Sequence, residues 1–69
     1  MKISEIKPNY MKRVRWDGAE YLLVGYKMEY VGRKTIHSGI LMDIRDRVSY
    51  RVIVLLDQIE AVEDKQNGL

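Results

Sequence analysis

Sixty-nine residues with a formal net charge of +2, 46% hydrophobic side chains and no cysteine define one small domain that no disulfide can staple. The lack of cysteine excludes a thiolate metal site, and a single histidine excludes a histidine cluster. No run approaches the ~20 apolar residues of a membrane-spanning helix, and the first residues lack the apolar stretch of a secretory signal, so the chain reads as soluble and cytoplasmic, without a membrane partner.

Residues 1–9 form a lead-in, with Ser4 able to cap a single helical turn through Lys7 before Pro8 and Asn9 punctuate it. Residues 10–16 read as a first strand. Asp17-Gly18 is a strong signal for a short hairpin, because the turn needs positive φ angles that Gly adopts without strain. A long second strand over 19–30, a turn at 31–34 and a third strand over 35–45 follow. Asp46-Arg47 then turns into the clearest strand of the chain, Val-Ser-Tyr-Arg-Val-Ile-Val-Leu-Leu over 48–56. Residues 57–60 look like one turn of tight helix before a last short strand over 61–63. Residues 64–69 read as a flexible tail, which leaves 10–63 as the single domain.

Strand parity predicts the core. Leu22, Val24, Tyr26 and Met28 share one parity with Ile40, Met42 and Ile44 and with Val48, Tyr50, Val52, Val54 and Leu56. These even positions should line one core, closed by Val14, Ile59 and Val62. Three-residue loops at 31–33 and 45–47 would set Leu22 opposite Met42, Val24 opposite Ile40, Met42 opposite Tyr50 and Ile40 opposite Val52. Gly25 then faces Gly39, a pairing that permits sharp coiling of the sheet, or alternatively close approach of a ligand.

The predicted fold is therefore all-β: a small, five-stranded, antiparallel, strongly bent sheet or barrel. With five short strands in meander order and one tight helical turn before the last, residues 10–63 resemble the Src-homology-3-like barrels. The resemblance is architectural and carries no diagnostic motif. It implies a binding module, but the aromatic pairs of peptide-binding members have no counterpart here, so no site residue transfers. In overall style the chain is similar to short accessory proteins of phages and mobile elements.

Nothing in the sequence assembles catalytic chemistry. His37 has no nucleophile or spaced carboxylate with it, and as an odd strand position it should face outward. Asp43 with Asp46, or Glu60 with Glu63, is ordinary spacing for a turn or terminus. No phosphate-cradling loop is present. The chain is expected to be no enzyme and to need no cofactor or metal.

Two surface features remain. Residues 1–53 carry eleven Lys and Arg against six Asp and Glu, a balance of +5, whereas 54–69 balance at −3. Arg33, Lys34, Arg45, Arg47 and Arg51, with Trp16 or Tyr21 as a stacking platform, make nucleic acid the alternative partner. The second feature is apolar. Leu23, Leu41, Ile53 and Leu55, with Tyr21 among them, lie on the parity that should meet solvent. Either they form a protein interface, with a second copy or another partner, or Ile3 and Ile6 of the lead-in fold over them. The sequence favours a non-enzymatic binding or accessory protein, such as an inhibitor or subunit of a nucleic-acid-processing complex. A homo-oligomer is the remaining way to staple so small a chain.

Overall fold

The computed structural model describes residues 1–45 and 51–62. A 3-10 turn over Ile3–Glu5 runs into a four-residue helix α1, Ile6–Asn9. Strands β1 (Arg13–Trp16), β2 (Ala19–Val31), β3 (Lys34–Asp43) and β4 (Arg51–Leu55) follow. A second 3-10 turn, Leu56–Gln58, precedes β5 (Glu60–Ala61). The strands form one antiparallel sheet in the order β4-β3-β2-β1-β5, bent but not closed. The expected turn at Asp46-Arg47, the beginning of the fourth strand at Val48 and Tyr50, Glu63 of the last strand and the tail over 64–69 lie outside the described residues.

Local chemistry explains most boundaries. Asp17 (φ 53°) and Gly18 (φ 78°) supply the two left-handed residues of a two-residue hairpin joining β1 to β2. The next hairpin is also two-residue, Gly32-Arg33 with Gly32 at φ 63°, so Val31 pairs with Lys34. The lead-in turn is not capped by Ser4. Glu5 reaches back to accept from the Lys2 N–H at 2.6 Å. Pro8 sits within the single turn of α1, where its missing N–H has no helical partner to lose. Met11, at φ 65°, breaks the first strand early, so β1 starts at Arg13 rather than Tyr10.

The core lies on the face opposite to the one that simple parity selects in β3 and early β2. Val14, Leu23, Leu41, Val54, Leu56 and Ile59 are buried, with Met1, Ile6, Trp16, Tyr21 and Val52 packed on them. Two shifts explain the difference. Pairing β2 with β3 sets Leu23 opposite Leu41 but Gly25 opposite Ile40, so Val24 is an extra residue in β2. This bulge moves the inward face from odd positions, Tyr21 and Leu23, to even ones, Tyr26 and Met28. Between β3 and β4 the register is one residue later than expected: Leu41 meets Val52, and Ile40 meets Ile53. The even positions of β4 are inward as expected, and Leu22 does pair with Met42, but Leu22, Ile40 and Met42 stand on the outer face.

Gly25 and Gly39 are not opposite one another, and each makes room for a side chain. A Cβ on Gly39 would come within 2.6 Å of Ile59 Cδ1 and 3.2 Å of Leu23 Cδ1. Ile59 therefore drops onto the sheet where β3 has no side chain. The lead-in closes the remaining opening: Met1 and Ile6 pack on the cluster, and the Met1 amine donates to the carbonyls of Leu56 (3.0 Å) and Ile59 (2.6 Å). Burying Leu23 and Leu41 completely contributes roughly 1.5–3 kcal/mol each.

Beyond this packed half, β2 and β3 continue together as a two-stranded arm. Pairs run from Met28 with His37 out to Val31 with Lys34, since β4 stops beside Ser38 and β1 beside Leu22. The arm accounts for the elongated shape, 46 × 29 × 19 Å. Among the described residues no helix is long and apolar enough to cross a membrane.

Candidate protein interface

The outer face of the sheet is built by alternation along β4. Val52 and Val54 turn inward, which forces Arg51, Ile53 and Leu55 outward. Ile53 is 56% exposed and Leu55 46% exposed. Cross-strand pairing continues the apolar row, since Ile53 is opposite Ile40 and Ile40 opposite Gly25. Gly25 keeps this row flat. A Cβ there would lie 3.0 Å from Ile40 Cδ1, so the absent side chain lets Ile40 lean over β2. A second row runs Arg51, Met42, Leu22 and Arg13 across the four strands.

Cations border these rows. Arg13 and Arg15 share Glu20, with N–O separations of 3.5 and 3.6 Å, and Lys27 pairs with Glu29 at 3.4 Å. All are solvent-exposed pairs worth at most a fraction of a kcal/mol in folding. At its far end Leu55 borders a groove of about 610 Å³, shared with Met1, Ile3, Ile36, His37 and Leu56 beside the β3 edge.

The structure divides the two residue sets expected from sequence. Of the interface set, Ile53 and Leu55 are exposed on the outer face. Leu23 and Leu41 are fully buried on the inner face, so they belong to the core and not to a surface. Ile6 and Met1 of the lead-in pack on the core cluster to which Leu23 and Leu41 belong, while Ile3 stays 52% exposed. Tyr21 is half-buried on that same inner face, with its ring 5.7 Å from that of Trp16. Trp16 is thus packed against the core rather than presented as a stacking platform.

The cation set is not brought together either. Arg33 and Lys34 sit at the tip of the arm, and Arg51 is opposite Met42 at the other end of β3. Lys34 and Met42 are eight positions apart on that strand, about 26 Å at the rise of an extended chain. Arg45 hydrogen-bonds Asp43 through its backbone N–H at 2.8 Å, and its guanidinium lies 3.5 Å from the same carboxylate. Arg47 lies outside the described residues.

His37 faces inward, contrary to the outward position its parity suggests. It stacks on Tyr26 at 5.9 Å between ring centroids and is hydrogen-bonded to the Tyr26 hydroxyl. Sequence reasoning also missed Tyr26, Met28 and Tyr30, placing the first two in the core. They line the inner face from the base of the arm at Tyr26, opposite Gly39, out to its tip, and Tyr30 is 75% exposed. Comparison with protein-family models, with curated proteins and with solved structures finds no match for this chain.

Proposed function

We propose that the chain is a non-enzymatic binding module that docks on another protein through the outer face of its sheet. The observation that carries the reading is the exposure of Ile53 and Leu55 in regular strand geometry, continuous with Ile40 and bordered by Arg51. A solvent-facing strand would ordinarily be polar at such positions, and a contiguous apolar row on so small a chain marks a contact surface. The bordering Arg51, Arg13 and Arg15 favour a partner segment that is apolar at its centre and acidic at its rim. Such a protein would act as an accessory or inhibitory subunit of a larger assembly. The strand order, with a 3-10 turn before β5, supports a Src-homology-3-like reading of the architecture.

Selection of binding peptides from a random displayed library tests this. Binders should pair apolar residues with Asp or Glu and should lose binding to Ile53→Asp and to Leu55→Asp. Binders indifferent to both changes would contradict the reading. Direct nucleic-acid binding, supported by the basic balance of residues 1–53, is separated by a salt titration against a mixed-sequence single strand. There affinity would fall with a log–log slope of about −0.7 per phosphate contact. The protein-docking reading requires no measurable affinity at physiological salt.

A further inference from the structure

The arm presents an unusual edge. From Gly25 to Val31, β2 pairs only with β3, because β1 ends its pairing at Leu22 and Met11 and Lys12, just ahead of β1, reach only as far as Leu23. Among the described residues no strand occupies the other side. A two-stranded ribbon is marginal in water on its own, and a free strand edge is a template for another strand. The residues along this edge read Tyr26-Lys27-Met28-Glu29-Tyr30, a sequence that complements itself when reversed.

We infer that the free edge of β2 pairs with the same edge of a second copy, antiparallel and centred on Met28. In that register Met28 faces Met28 of the partner subunit, and Tyr26 faces Tyr30 of the partner subunit. Lys27 faces Glu29 of the partner subunit, and the two-fold axis repeats each contact. Shifting the register by two residues in either direction puts Lys27 opposite Lys27 or Glu29 opposite Glu29, so charge selects the centre. Within one chain Lys27 and Glu29 already lie 3.4 Å apart on the outer face, and both are exposed. Pairing turns two isolated ion pairs into a ring of four alternating charges. On the inner face Tyr30 of the partner subunit arrives beside Tyr26, at a cleft of about 430 Å³ lined by Ile3, Ile6, Lys7 and Tyr10. Tyr30, the most exposed large hydrophobic side chain of the arm, gains cover there.

This contact is independent of the docking reading above, since it uses the β2 edge and leaves Ile53 and Leu55 open. Because its two-fold axis is normal to the paired strands, both outer faces point to the same side. The dimer is then a two-site platform, and a partner with two matching segments gains avidity.

Charge exchange tests the register. Sedimentation equilibrium of the whole chain should show a dimer that Lys27→Glu weakens by about tenfold or more, because like charges then face each other twice. The double change Lys27→Glu with Glu29→Lys should restore the wild-type constant. Cross-linking provides a second, independent readout, since the chain has no cysteine of its own. Met28→Cys should oxidise rapidly to a covalent dimer, its Cα atoms lying within disulfide reach only in this register. Tyr30→Cys should not, because its symmetry mate lies four residues further along. A wild-type monomer at millimolar concentration, equal cross-linking by Tyr30→Cys, or failure of the double exchange to restore association would each overturn the proposal.

Discussion

Leu23 and Tyr30 stand on the same strand and meet opposite environments. Leu23 is hydrogen-bonded to Met11 and Lys12 ahead of β1, pairs with Leu41 of β3 and has no exposed surface, whereas Tyr30 projects on a ribbon with 75% of its surface open. The first half of β2 is therefore held by packing, and the second half only by its pairing with β3. A 69-residue chain has too little apolar material to cover the whole of a 13-residue strand. It concentrates burial where β1, β3, β4 and Ile59 converge and leaves the remainder as surface for partners.

The largest effect should come from reversing inner and outer faces. Leu41→Glu places an uncompensated charge in the core, which costs several kcal/mol or more and should unfold the chain. Ile53→Glu, on the strand beside it, should change stability by no more than about 0.5 kcal/mol. Denaturant titration followed by Trp16 fluorescence compares the two, and equal effects would put the core on the wrong face.

A smaller effect is expected at Gly39. Gly39→Val must displace Ile59 Cδ1 and Leu23 Cδ1, and overpacking of this kind costs about 1–3 kcal/mol. Gly25→Val, on the outer face, presses on Ile40, a partly exposed side chain that can yield, so its cost should be lower. Ranking the two by thermal unfolding checks the assignment of faces.

The smallest global effect should arise in the arm. Gly32→Ala forces a side chain into left-handed backbone at φ 63°, a local strain of about 1–2 kcal/mol. The strain can be relieved by opening the tip without disturbing Leu23 or Leu41, so the cooperative unfolding midpoint should move little. A full loss at the midpoint would mean that the arm and the packed half unfold as one unit.

Much of the fold was legible from residues alone. Asp17-Gly18 specified a hairpin because its chemistry is local, and the second hairpin, the tight turn before the last strand and the meander order followed from similar signals. The choice of buried face was not legible. It depends on the extra residue at Val24 and on a one-residue register difference between β3 and β4, and neither has a sequence signature of its own. Both faces of the mid-sheet are apolar, Leu22, Ile40 and Met42 on one and Leu23 and Leu41 on the other. The decision between them rests on Ile59 fitting over Gly39, a contact between residues twenty positions apart. For the surface, Ile53 and Leu55 were readable because β4 alternates cleanly. The arm was not, because Tyr26, Met28 and Tyr30 have the composition of core strands, and only the end points of β1 and β4 expose them.

Amide hydrogen exchange along β2, measured in dilute solution, tests the central division most directly. Protection should be high at Leu22 and Leu23, which lie between two strands, and should fall sharply from Lys27 to Val31, where only β3 is paired. Uniformly strong protection to Val31 in a monomeric sample would contradict the account, because it would make the arm as stable as the packed half.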